Sequence, residues 1–374
     1  MKIAFVYDHV NKFGGAERVL LALHEIWKDA PLYTAVYNSK QASWSKVFKI
    51  NVSWLRHLSF FSDRHEILPL FTPIAFESFN IKDFDVVLSI TSSGAKGIMT
   101  GTDTLHICYC LTPTRYLWSG YTDYIKEPGV GCLNPMARVF MKIFFSRLRL
   151  WDQVASSRPD YYISISRTVS DRIKKYYRRQ SSIIYPPADL NVFKIPNRNY
   201  NKKEDYFLIV SRLVPYKKID YVISAFNKLG WKLVIIGSGI DQERLKKMAY
   251  KNIVFVTKSL TDQKLCWYYQ NCRAFIFPGE EDFGLTSVEA QACGKPVVAY
   301  VKGGVKESII VGETGELYDE QNEDSLITAL NKVRNKTYDP STCRKSAERF
   351  TKKKFQLMMK KSVESLWNDY QKNI

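Results

Sequence analysis

Two carboxylates at a fixed separation carry the most chemistry in this 374-residue chain. Glu281 and Glu289 are separated by seven residues that include Phe283, Gly284, Leu285 and Thr286. Glu281 follows the apolar run 274–278, which reads as a buried strand, and Glu289 falls where a helix begins. A strand, a glycine-bearing loop and a helix N-terminus together present backbone N–H groups that suit an anion. The two carboxylates would repel that anion, so they are better used to accept hydrogen bonds from hydroxyl groups. The implied ligand carries both phosphate and sugar. A local reading competes: Thr286 and Glu289 have the spacing of a capping box, and Glu280, Glu281 and Asp282 could be a solvated acidic loop.

Two more clusters ask for a phosphate. Gly14-Gly15 follows the first apolar run and opens a helical pattern, where glycines let backbone approach a diphosphate. Arg212 and Lys217 follow another strand pattern, and such a cation pair could neutralise a departing diphosphate. Each cluster alone also reads as an ordinary loop. Two decoys are set aside. Gly237-Ser-Gly239 imitates a nicotinamide fingerprint, but Gln242 stands where a third small residue is needed. Asp83-Phe-Asp85 imitates a metal-binding pair and is better explained as the polar start of a strand, so no metal and no cofactor is expected.

Elements must hold these residues in place. Short apolar runs predict strands over 1–8, 31–37, 84–90, 105–110 and 161–165. Helical spacing between them, as in Val19, Leu20, Leu23, Ile26 and Trp27, gives βα alternation and a mostly parallel sheet. Pro186-Pro187 enforces extended chain and marks a boundary, with one domain over 1–186 and a second over 187–354. Strands follow over 206–211, 231–237, 253–256, 274–278 and 296–300, with helices from about 219 and 261 and a last helix over 352–373. Two Rossmann-like halves fit this order, with ligands at the carboxyl ends of the strands.

The formal charge of +18 implies an anionic partner: nucleic acid, a membrane surface or a phosphorylated substrate. Nucleic acid has the least support, because no binding motif is present. The segment 136–151 interleaves Arg138, Lys142, Arg147 and Arg149 with Phe140, Phe144, Leu148 and Trp151. As a helix it would either lie in a membrane interface or pack on the core with a charged outer stripe. No run has membrane-spanning length, and the strand pattern starting at once leads to the expectation of no signal peptide. Seven cysteines without paired spacing predict reduced thiols and a cytoplasmic setting.

The whole string 278–296 resembles the E-x7-E signature of retaining glycosyltransferases of family 4, which have the GT-B fold. The resemblance extends through Gly303-Gly304 and Glu313-Thr-Gly315, and it spreads along nearly the whole chain, densest from 205 to 320. It implies two Rossmann-like domains facing each other across a cleft, with 355–374 as a helix crossing back to the N-terminal domain. It implies that Arg212 and Lys217 clamp the diphosphate, that Gly14 and Gly15 touch phosphate, that Glu281 holds sugar hydroxyls and that Glu289 binds ribose. Phe283, Gly284, Leu285 and Thr286 would complete the donor site. The segment 108–118 resembles a C-Y-C-H-T-P-x-R-Y-x-W pattern of bacterial polysaccharide members, which makes Arg115, Tyr116 and Trp118 acceptor-side candidates. Leu111 stands where that pattern has histidine, and His106 does not inherit the role. The implied reaction moves a sugar, for the nearest-looking members mannose from GDP-mannose, to a glycan on a polyprenyl diphosphate at the inner face of the membrane. A non-hydrolysing sugar-nucleotide epimerase and a silent nucleotide-sugar-binding protein remain the alternatives.

Overall fold

In a computed structural model, residues 1–57, 71–126, 134–196 and 205–372 are described, without the side chains at 56, 57, 123, 124, 126 and 134–143. The chain divides into two compact units, Met1–Tyr185 with Phe355–Ile374, and Pro186–Lys354.

The first unit runs β1 (Ile3–Val10), α1 (Gly15–His24), β2 (Leu32–Tyr37), β3 (Ile50–Val52), α2 (Thr72–Glu77) and β4 (Val86–Thr91). It continues through β5 (Leu105–Cys110), α3 (Tyr121–Lys126), α4 (Asn134–Ala155), β6 (Tyr161–Ser164), α5 (Arg167–Tyr177) and β7 (Ser182–Ile183). The strands lie in the order β3-β2-β1-β4-β5-β6-β7. Their ladders are all parallel. β4 and β5 are buried along their whole length, as a parallel sheet covered on both faces requires. Ser166 starts α5 by accepting the Val169 N–H at 3.1 Å.

The second unit comprises β8 (Phe207–Val210), α6 (Asp220–Leu229), β9 (Leu233–Ile236), α7 (Gln242–Met248), β10 (Ile253–Val256) and α8 (Asp262–Asn271). Then come β11 (Ala274–Phe277), α9 (Leu285–Ala292), β12 (Val297–Tyr300), β13 (Gly315–Tyr318), α10 (Glu323–Arg334) and α11 (Pro340–Ala347). The order β10-β9-β8-β11-β12-β13 is again all parallel. The last helix, α12 (Lys352–Gln371), buries Phe355, Met359 and Val363, and Phe355 meets Tyr109 of β5 edge-on at 5.8 Å.

Three short strands, β3, β7 and β13, join the ten that the apolar runs predict. β7 lies just before the extended Pro186-Pro187, paired with β6. In α4, Phe145 and Leu148 are buried with Leu117, while Leu150 and Val154 are exposed. Arg149 turns inward, donating to the Leu117 carbonyl at 2.9 Å. The expected edge residues Arg138 and Lys142 lie outside the described side chains. Among the described residues no helix is long and apolar enough to cross a membrane. Six described cysteines are free and buried.

Ile276 is buried at the centre of the second unit with Ile235, Val298 and Phe226. Ile276→Ala should lower stability by about 2–5 kcal/mol and Ile276→Val by about 0.5–1.5 kcal/mol. Urea-unfolding midpoints check this ordering, and equal midpoints for both variants would contradict it.

Candidate active site

In each sheet the strand sequence reverses direction at the centre, between β1 and β4 and between β8 and β11. Connections leave such a pair on opposite sides, opening a crevice at the carboxyl ends where ligands bind in sheets of this kind. In the second unit, the loop after β8 carries Arg212 and Lys217, and the loop after β11 carries Glu281. Lys217 Nζ and the Glu281 carboxylate form an ion pair across this point, both side chains mostly buried. Arg212 is exposed, with its guanidinium donating to the Tyr216 hydroxyl at 2.5 Å.

Main-chain contacts set the positions of both loops. The Pro278 carbonyl accepts the Tyr221 hydroxyl at 3.0 Å and the Gln321 amide at 2.9 Å. Tyr221 also meets the Tyr318 hydroxyl at 2.6 Å. Burial raises the pKa of both tyrosines, so each keeps its proton for these bonds. The Glu281 carbonyl accepts the Gly304 N–H at 2.7 Å. Gly303 has φ of 93°, and a Cβ there would stand 2.3 Å from that carbonyl oxygen. Only glycine allows the approach. The decoy Gly237-Ser-Gly239 has the same explanation. A Cβ on Gly237 would lie 1.9 Å from the Ser211 carbonyl oxygen, so the glycine lets the β9 loop meet the β8 loop.

α9 starts at Leu285 with Gly284 as its N-cap and no side-chain cap. The capping-box reading of Thr286 and Glu289 is therefore overturned: Thr286 is already inside the helix, and Glu289 lies a turn further on. Glu289 is 6% exposed and accepts the Tyr269 hydroxyl at 3.1 Å. Burial first, then the Glu289 charge, raises the Tyr269 pKa. Leu285 and Thr286 are half-buried at the helix start. Phe283 is buried edge-on against Phe350 at 5.2 Å. Tyr269 and Tyr221, which hydrogen-bond Glu289 and the Pro278 carbonyl, lie outside the motif. Only their place on helices facing the site strands would reveal them.

The first unit places Gly14 as the N-cap of α1 and Gly15 as its first residue. Glu17 is buried and accepts the Tyr7 hydroxyl at 2.6 Å, while Arg18 lies over the Phe13 ring at 5.3 Å. Asp85 accepts the Lys2 N–H at 2.6 Å, a contact at the strand start. Leu111 ends the β5 run, its N–H bonded to the Thr91 carbonyl at 2.8 Å. His106 is buried within β5, its Nε2 2.9 Å from the Ser89 hydroxyl oxygen. Its Nδ1 has no hydrogen-bond partner among the described residues. Tyr116 lies 3.4 Å from the Ser93 hydroxyl, and Arg115 and Trp118 share its loop.

Residues 193–355 match the family described as Glycosyl transferases group 1. The chain is 27% identical over 199 residues to the GDP-mannose-dependent alpha-(1-6)-phosphatidylinositol monomannoside mannosyltransferase of Mycolicibacterium smegmatis, covering 46% of this chain and 52% of that protein. It is 23% identical over 314 residues to the alpha-1,3/1,6-mannosyltransferase ALG2 of Dictyostelium discoideum, covering 71% and 70%. The chain spans about half the length of several curated relatives it matches. Among solved structures, Anabaena Alr3699/HepE in complex with UDP and glucose superposes with a TM-score of 0.70 at 19% identity, covering 98% of this chain and 100% of that one.

Burial, and then the Arg158 cation, lower the His106 pKa from 6.5 to about 3. The folded chain keeps this ring neutral, while the unfolded chain protonates it below its ordinary pKa. The unfolded state then binds more protons, so stability is lost as pH falls from 6.5 toward about 3. His106→Gln should remove about 3 kcal/mol of the decline between about pH 6.5 and pH 4. Unfolding free energies of both proteins across that range decide it, and parallel curves would count against a buried neutral ring.

Proposed function

We propose, from the fact that the chain belongs to the group 1 glycosyltransferases (family 4) and has the GT-B fold, that it transfers a sugar from a nucleotide-diphosphate donor with retention of configuration. The carrying observation is the juxtaposition of Lys217 and Glu281 where β8 and β11 diverge, with the start of α9 following Glu281 in the same loop. A cation, a carboxylate and helix N–H groups at one switch point suit a diphosphate joined to a sugar.

In this reading Arg212 and Lys217 meet the diphosphate, and the helix start at Leu285 and Thr286 adds N–H donors; in the first unit, Gly14 and Gly15 are assigned to phosphate contact. Glu281 holds sugar hydroxyls, with Gly284 giving the loop its turn and Phe283 its anchor. Glu289 binds ribose through the carboxylate that Tyr269 orients. The bond from the anomeric carbon to the diphosphate breaks, a bond to the acceptor oxygen forms on the same face, and the acceptor proton passes to the departing phosphate. The charge that accumulates on the leaving group is where preorganised cations matter most. No metal or other cofactor is assigned.

The substrate reading is mannose from GDP-mannose, delivered to a glycan on a polyprenyl diphosphate in cell-surface polysaccharide synthesis. Two mannosyltransferases among the relatives support the sugar. The +18 charge supports the diphosphate lipid and an anionic membrane face as the place of action. Arg115, Tyr116 and Trp118 are assigned to the acceptor side.

A thermal-shift series with GDP-mannose, UDP-glucose, GDP and UDP tests the donor reading, since a ligand at a hundred times its Kd stabilises by about 2.7 kcal/mol. GDP-mannose should shift the transition, and Arg212→Ala should weaken that binding roughly 10- to 150-fold by removing a charged hydrogen-bond donor. Transfer is then assayed with short-chain polyprenyl-diphosphate glycans. No shift with any nucleotide, together with an Arg212→Ala protein that behaves as the native one, would overturn the reading.

A further inference from the structure

A buried ion pair in the first unit takes no part in donor chemistry. Lys96, in the turn after β4, and Asp152, on α4, are each 1% exposed. Lys96 Nζ lies 2.5 Å from Asp152 Oδ1 and also donates to the Ser93 carbonyl at 2.6 Å. Asp152 is the hub of a larger set. Thr114 donates its hydroxyl to Oδ1 at 2.6 Å, Trp118 its indole N–H to Oδ2 at 2.7 Å, and Tyr177 its hydroxyl to Oδ2 at 2.9 Å. The Thr114 N–H closes the set by donating to the Tyr177 hydroxyl at 3.2 Å.

Burying two opposite charges gains little over filling the same space with apolar side chains. What the ionic version adds is acceptor capacity: Lys96 compensates the carboxylate, and Asp152 can then take three directional donors from two segments. Two of those donors, Thr114 and Trp118, bracket Arg115 and Tyr116. Trp118 is fully engaged in this packing, its N–H on Asp152, its ring stacked on Tyr176 at 5.1 Å and the Arg149 guanidinium 5.7 Å from its centroid.

We propose that the Lys96–Asp152 pair is a positioning device for the loop after β5, fixing it at Thr114 and Trp118 so that Arg115 and Tyr116 are presented to the acceptor. Within the acceptor-side assignment, Trp118 then serves by holding the loop in place, and Arg115 and Tyr116 are the residues that meet the glycan. The loop assignment stands on geometry alone; only the identity of its ligand rests on the glycosyltransferase reading.

Tyr177→Phe and Thr114→Val each remove bonds from this set while keeping the charge pair. In native-state hydrogen exchange, both should speed exchange of the amides over 111–118 roughly tenfold or more, with the rest of the first unit unchanged. The shift given by GDP or UDP should be the same as in the native protein. With a short-chain polyprenyl-diphosphate glycan as acceptor, KM should rise roughly tenfold while kcat stays within about twofold. Unchanged exchange over 111–118, or protection lost throughout the unit, would overturn the proposal, as would a fall in kcat at constant KM. Absence of transfer by the native enzyme would count against the glycosyltransferase reading, and the exchange result would still decide the loop.

Discussion

Parallel pairing is the constraint from which the arrangement of both units follows. A parallel strand is reached only by a crossover, so every carboxyl end emerges on the same edge of its sheet. In both sheets the first strand of the unit pairs with the second on one side and the fourth on the other, so connections diverge between β1 and β4 and between β8 and β11. In the second unit that divergence puts the Lys217 cation beside the Glu281 carboxylate. In the first it puts the Gly14-Gly15 turn after β1 and the segment 91–97 after β4. There the Asp8 carboxylate, on β1, ties the segment down by accepting the Thr91 hydroxyl at 2.8 Å and the Ala95 N–H at 2.9 Å.

Close approach of backbone to backbone then fixes the details. Loops that carry charged side chains have few apolar contacts to hold them, so their geometry depends on what the main chain can reach. Gly303 lets the β12 loop lie on the Glu281 loop, and Gly237 lets the β9 loop lie on the one bearing Arg212. The buried Lys96–Asp152 pair does the same work with side chains. Removing one partner of such a pair costs about 3–5 kcal/mol because the other charge is left uncompensated. Charged groups in both units are therefore held by neighbours whose own positions the sheet has settled.

The long apolar runs made ten of the strands legible, since a strand buried on both faces must be nearly continuous in Val, Ile, Leu and Phe. β3, β7 and β13 were not legible that way. β3 and β7, with three and two residues, are too short to carry a pattern, and Gly315-Glu-Leu-Tyr318 mixes types. α10 offers a better signal, with Asn322 accepting the Ser325 N–H and Leu326, Leu330 and Val333 on one buried face. Glu289 shows the opposite failing. Its spacing from Thr286 satisfies a capping rule, yet Gly284 caps the helix and Tyr269 takes up the carboxylate.

The sequence by itself determined the α/β class, the existence of the Glu281–Glu289 string and the presence of an Arg212–Lys217 cation pair. These are local properties, set by residue types at short spacing. Tertiary structure alone decided that Lys217 meets Glu281, that Gly237 serves backbone contact, and that Trp118, Thr114 and Tyr177 converge on Asp152. Those partners lie tens of residues apart along the chain. Only the order of strands in a sheet turns such separations into contacts of a few ångströms.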